Sequence, residues 1–155
     1  MIIKIVTYEA KYHSAFKGIN SRWIDAFFKM EESDHKVLNF PQEQIIARGG
    51  AILVALVGQK VAGVCALIKM DDSVYDFELA KMAVDPAFQG LGIGYSLGQA
   101  IIAKAKEFNA RNIYLESNDK LLPALKLYEK LGFKHITGYE SPYERCNVQM
   151  AIELN

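Results

Sequence analysis

Short apolar runs alternate with longer amphipathic stretches along the chain. Ile2–Thr7 alternates as a strand does, whereas Tyr12–Met30 carries Phe16, Ile19, Trp23, Ala26, Phe27 and Met30 at steps of three and four, the spacing of a helix face. Glu31–Asn39 is a charged stretch, and Pro41 opens a short helix through Ile45 and Ile46. After the break at Gly49-Gly50, the runs Ala51–Val57 and Val61–Ile68 flank Gly58-Gln59-Lys60 and read as a hairpin of two mostly buried strands. Asp71-Asp72-Ser73 is a turn, and Tyr75–Val84 is the next strand, closed by Asp85-Pro86. A glycine-rich segment follows, then a helix to about Asn109 whose inward face is Ile93, Leu97, Ile101, Ala105 and Phe108. Asn112–Glu116 is a strand, and Leu121–Leu131 is a helix stopped by Gly132. Phe133–Ile136 and Val148–Leu154 are late strands on either side of the polar loop Gly138–Asn147. The predicted order is β-α-α-β-β-β-α-β-α-β-β, an α/β or α+β domain built around one mixed sheet.

Length and composition narrow the field. At 155 residues, 51% of them hydrophobic, the chain suits one domain over 1–155 with a real core. Its formal net charge is zero and no Lys/Arg run stands out, so neither a nucleic-acid nor an anionic-membrane partner is expected. The short start Met1–Val6 reads as a first strand and not as a signal peptide, and no apolar run is long enough to span a bilayer. Cys65 and Cys146 make neither a disulfide framework nor a zinc site and are expected as two reduced thiols of a cytoplasmic protein. His13, His35 and His135 lack metal-ligand spacing, so no metal is expected.

The segment Gln89-Gly90-Leu91-Gly92-Ile93-Gly94 carries the chemistry. A helix N-terminus presents unpaired N–H groups and partial positive charge, and glycines before it let the backbone approach a ligand closely. That combination suits a phosphate or pyrophosphate, although the glycine count by itself fits a ligand-free turn equally well. A P-loop would need Gly-Lys-Ser/Thr, but Gly94 is followed by Tyr95-Ser96. The dinucleotide fingerprint fails on spacing and on its place past mid-chain, with Glu116 as the one residue placed where a ribose-binding acid belongs.

Three pieces in order then resemble the GNAT superfamily of N-acetyltransferases. Gln89, Gly92 and Gly94 meet its Q/R-x-x-G-x-G/A signature, Glu78–Pro86 resembles the strand before it, and Ala124-Leu125-Lys126-Leu127-Tyr128-Glu129-Lys130-Leu131-Gly132-Phe133 resembles its A-x-x-L-Y-x-K-x-G-F stretch. The resemblance covers nearly the whole chain and implies a single mixed, splayed β-sheet flanked by helices, opened between the strands Tyr75–Val84 and Asn112–Glu116. It implies acetyl-CoA (coenzyme A) as co-substrate, with pantetheine on the backbone of Ala83 and Val84. The pyrophosphate falls to the amides of Gln89, Gly90, Leu91, Gly92, Ile93 and Gly94, and the backbone N–H of Met82 polarises the thioester carbonyl. The chain departs from the pattern at Leu121, where members of the family often have Asn; Asn118 is the nearest substitute.

The implied activity is direct transfer of an acetyl group to a small-molecule or peptide amine in a ternary complex, which needs a base for the amine and an acid for the leaving thiolate. Tyr128 falls on the family's acid. Glu78 falls where some members keep a base, and strand alternation would place it on one face with Ala80, Met82 and Val84. The alternatives are a packed helical tyrosine and a strand-end carboxylate paired with a cation. For the acceptor pocket the resemblance points to Trp23, Phe27 and Phe28 and to the loop Ser141-Pro142-Tyr143-Glu144-Arg145. Trp23 and Phe27 read first as core packing. Arg145 can clamp an acceptor carboxylate or stand as a solvated loop charge. A non-catalytic acyl-CoA-binding sensor or partner module is the competing reading, and a homodimer is compatible with the family.

Overall fold

The computed structural model describes residues 1–139, 141 and 143–154. Its strands are β1 (Ile3–Thr7), β2 (Ala51–Val57), β3 (Lys60–Lys69), β4 (Phe77–Val84), β5 (Asn112–Ser117), β6 (Lys134–Ile136) and β7 (Val148–Glu153). The helices are α1 (His13–Phe27), α2 (Glu32–Asn39), α3 (Ile93–Glu107) and α4 (Leu122–Leu131). A single π-type turn spans Gln42–Ile46, where the sequence predicts a short helix. All strands lie in one sheet of order β1-β2-β3-β4-β5-β7-β6, antiparallel throughout except for the parallel β4–β5 pair.

Both faces of the sheet are covered, which is why β2 and β3 read as continuous apolar runs. On one face Leu53, Cys65, Leu67, Phe77 and Leu79 pack against Ile93, Leu97, Ile101, Leu125 and Tyr128 of α3 and α4. On the other, Ile52, Val54, Val64 and Ala66 pack under Phe16, Ile24, Leu38 and Ile45. Full burial of one such aliphatic side chain contributes about 1.5–3 kcal/mol. Gly63 lets α3 lie directly on β3, since a Cβ there would come within 3.0 Å of Ile93 Cγ2. Among the described residues no helix is long and apolar enough to cross a membrane.

The first helical stretch differs from expectation. It stops at Phe27, and the charged segment after it forms α2, started by a capping box in which the Glu31 N–H donates to Asp34 Oδ2 at 2.9 Å. Ala26 and Phe27 are consequently outside the core, Phe27 at 48% exposure. Phe108 also leaves its predicted inward face: it is the C-cap of α3, half exposed, with its ring against Phe77.

The parallel pair positions the site. β4 and β5 are pinned at their starts, where Asn112 accepts from the Asp76 N–H and donates to the Val74 carbonyl. They pair only at Phe77↔Ile113 and Glu78↔Tyr114 and then separate, although both strands continue. The sheet therefore carries a wedge-shaped opening beyond Glu78, with unpaired strand edges facing it.

Candidate active site

The glycine segment leads from the end of β4 into α3. Gly90 and Gly92 have φ of 78° and 79°, and no atom stands near where their Cβ would be. The left-handed backbone, not crowding, is what calls for glycine there. Gly92 is the N-cap of α3 and offers no side chain to its first turn, which also holds no acidic residue. The first intrahelical bond runs from Ser96 N–H to Gly92 C=O, which leaves the preceding amides of the turn free of helical partners. Ile93 is buried and anchors the turn, while Leu91 is 44% exposed. The turn forms a cradle at a helix N-terminus, a geometry that suits an anion.

Upstream, β4 carries a bulge. Lys81 has φ of 52°, and the β3 register skips from Ala66↔Ala80 to Val64↔Ala83, so neither Lys81 nor Met82 has a partner on β3. The extra residue breaks the side-chain alternation. Glu78 lies opposite Ile68, on the α1–α2 face, whereas Met82 and Val84 pack into the α3–α4 cluster. The shared face expected for Glu78, Met82 and Val84 is thus corrected by one inserted position. The bulge frees backbone at Lys81–Met82 beside the opening, and Ala83 and Val84 pair with Val64 and Gly63 on their other edge.

Beneath the opening lies a cavity of about 110 Å³. Glu78, Lys81 and Met82 line it from β4, Glu116 and Ser117 from β5, and Leu121, Ala124 and Tyr128 from around α4. Asn20, Trp23 and Phe28 line it from the α1 side, and Tyr143, Arg145 and Cys146 from the loop between β6 and β7. Pro142 of that loop lies outside the described residues.

The Tyr128 ring is buried against Phe133, and among the described residues its hydroxyl has no hydrogen-bond partner. Burial, and then the nearby Cys65 thiol, push its pKa upward, so it stays a neutral phenol that can give a proton. Burial and then the Glu116 carboxylate push Glu78 up to about 7, against the opposing pull of the Lys81 ammonium. Glu116 is held by Tyr114 Oη at 2.6 Å and Ser141 Oγ at 2.8 Å, and Gln149 Nε2 donates to Tyr114 Oη at 2.8 Å. Glu116 therefore belongs to this cavity and not to a ribose site. The sequence signal for it was its position on the strand after the glycine helix.

The acceptor loop is locked by charge. Arg145 makes a two-pronged contact with fully buried Asp34, Nη1 to Oδ2 and Nη2 to Oδ1 each at 2.7 Å, and reaches Glu31 at 3.2 Å. Lys81 Nζ takes the same Asp34 Oδ1 at 2.6 Å, and the Tyr143 ring lies against both cations. Burial opposes the Asp34 charge, but the Arg145 and Lys81 contacts outweigh it and hold the carboxyl well below its usual range. Arg145 is thus neither of the two alternatives expected from sequence, a solvated loop charge or a clamp for a ligand carboxylate; its fork is taken by Asp34. Asn118 donates to the Arg145 carbonyl at 2.7 Å and accepts from the Lys120 N–H at 3.0 Å, so it ties down this loop. Of the aromatic candidates, Trp23 and Phe28 reach the cavity and Phe27 does not.

The model of the acetyltransferase (GNAT) family matches residues 17–133. The uncharacterized N-acetyltransferase YjgM of Escherichia coli K12 is 37% identical over 83 residues, covering 50% of this chain and 47% of that protein. The N-acetylaspartate synthetase of Danio rerio is 37% identical over 107 residues, covering 63% of this chain and 37% of that protein. The chain spans about half the length of the first curated relatives it matches, and less of the synthetases. Among solved structures, a GNAT-family acetyltransferase of Staphylococcus aureus Mu50 superposes with a TM-score of 0.88 at 25% identity, covering 99% of this chain and 100% of that chain. The yncA protein of Salmonella typhimurium, solved with its cofactor acetyl-CoA, gives a TM-score of 0.80 at 18% identity over 100% of this chain and 95% of that one, a likeness of fold.

Proposed function

Because the chain belongs to the acetyltransferase (GNAT) family, we propose that it moves an acetyl group from acetyl-CoA directly to an amine, a small molecule or a peptide, with both bound at once. The observation that carries this reading is the coincidence of two features. The glycine cradle with its free helix amides follows directly on β4, and β4 also lines the cavity that holds Tyr128 and Glu78. A pyrophosphate on residues 89–94 would leave pantetheine to run along the free edge of Ala83 and Val84. The thioester then reaches the bulge, where the Met82 N–H is directed to the developing oxyanion.

In the proposed reaction the ammonium of the acceptor gives a proton to Glu78, whose raised pKa near neutrality suits that task. The amine lone pair attacks the thioester carbon, the C–N bond forms, and the C–S bond breaks. The leaving thiolate takes the phenolic proton of Tyr128, which bulk solvent restores through the opening. Asn118, committed to the Arg145 carbonyl and to the Lys120 N–H of its own turn, is proposed to shape the pocket wall near the cofactor. Trp23, Phe28 and Tyr143 are proposed as apolar walls for the acceptor. A homodimer, the family's option, is decided by the mass in solution.

The test is thiol release from acetyl-CoA with a panel of amines, run on the unmodified chain and on Tyr128→Phe. Release is expected with some amines, and Tyr128→Phe should lower kcat about 1,000-fold while CoA affinity holds. Tight CoA binding with no release across a broad panel would favour a non-catalytic acyl-CoA-binding sensor or partner module. An unchanged kcat would take Tyr128 out of the mechanism.

A further inference from the structure

Resting on that acyl-transfer reading, we infer that the acceptor is a small zwitterion carrying a carboxylate beside its amine, and that Lys81 and Asn20 recognise the carboxylate. The Lys81 side chain is only 7% exposed. Its one charged contact is Asp34 Oδ1 at 2.6 Å, and its second, to Tyr143 Oη, is long at 3.4 Å. An ammonium has three donors, so one is left over among the described residues. Asp34 does not neutralise Lys81 alone, because Arg145 already occupies both its oxygens at 2.7 Å. Glu31 adds its charge at Arg145, 3.2 Å away, and makes no contact with Lys81. Lys81 and Arg145 thus share Asp34, with Glu31 completing the charge balance, and Lys81 brings its remaining donor to the cavity wall.

Asn20 supplies the second observation. It is 1% exposed and lines the cavity, yet among the described residues its only hydrogen bond is from Nδ2 to the Phe16 carbonyl at 3.0 Å. The amide nitrogen carries two protons, and the second is left for a ligand that enters the cavity. Glu78 and Glu116 add two carboxyls to the same lining, near the point where β4 and β5 part. A cavity of about 110 Å³ whose lining holds both an ammonium and carboxyls matches an ammonium and a carboxylate held on one small molecule, as in a free amino acid. Lys81 directly precedes Met82, so a carboxylate bound there holds the amine within a residue's length of the bulge.

The experiment compares free amino acids with their carboxamides as acceptors for the full chain and acetyl-CoA, reading thiol release. The acids are expected to exceed the amides by roughly tenfold or more in kcat/KM, with the difference mainly in KM. Lys81→Met should bring that ratio close to one, and Lys81→Arg should restore part of it. Amides turned over as well as acids by the unmodified chain would overturn the inference and leave acyl transfer standing. A ratio that survives Lys81→Met in a folded variant would overturn it too. No turnover of either set while other amines still release thiol would overturn it as well, whereas no release with any amine by the CoA-bound chain would bring down the acyl-transfer reading itself. The acid-to-amide ratio of the unmodified chain decides the question even where the variant does not fold.

Discussion

The cradle at residues 89–94 and the cavity under the β6–β7 loop both adjoin β4, yet they are built from different materials. The cradle is backbone: consecutive residues, two left-handed glycines and a helix N-terminus without a side-chain cap. The cavity is side chain: Asp34 from α2, Lys81 from β4 and Arg145 from the far loop meet across 111 positions of sequence between Asp34 and Arg145. The first depends on φ and tolerates changes of neighbouring side chains. The second depends on charges that stabilise one another only when the tertiary structure is complete. A family can therefore keep the first while rebuilding the second for a different acceptor.

The strongest way to break this contrast is Asp34→Ala, which leaves two buried cations facing each other. Removing one partner of a buried ionic cluster costs about 3–5 kcal/mol, so urea unfolding should show a loss of that size. The sign with pH follows from the lowered Asp34 pKa. Its contribution is complete above the ordinary carboxylate range and is lost as pH falls below it, so the variant and the parent should converge in acid. Equal stability at neutral pH would mean that the lock contributes nothing.

Glu78→Gln tests the chemistry of the side-chain half. With Glu78 raised to about 7, kcat/KM of the parent should climb through that pH as the carboxyl loses its proton. The variant should lose that rising limb and fall about 100-fold at the plateau. A variant with the parental profile would assign the base elsewhere, with Glu116 the next carboxylate in the cavity.

The smallest effect belongs to the backbone half. Gly92→Val forces a β-branched residue into φ of 79°, a strain of about 1–2 kcal/mol. CoA affinity should weaken about tenfold, measured by calorimetry, while the preference among acceptors stays as it was. A shift in acceptor preference with CoA affinity intact would erase the distinction between the two halves.

Much of the frame was legible in the chain. The paired apolar runs gave β2 and β3, the helical spacing gave α3 and α4, and the family pattern implied where the sheet opens. Misreadings fell where tertiary contacts overrule local pattern. The segment that forms α2 reads only as a charged stretch, because just Asp34 and Leu38 of it are buried. Arg145 looked like a free loop charge because its partner is 111 residues away. Glu78 and Met82 looked like neighbours on one face because alternation says nothing of a bulge.

What the sequence determined alone is the part made of consecutive residues. Gln89–Gly94 turns through left-handed glycines into a helix, and the residues that set this turn are consecutive in the chain. What only the tertiary structure decided is the acceptor side. A one-residue bulge turned Lys81 toward the cavity, and the closing of α2 and the β6–β7 loop on Asp34 occupied Arg145. Periodicity and spacing report contacts a few residues apart, whereas the charge balance of a buried cavity depends on groups that meet only after the chain has folded.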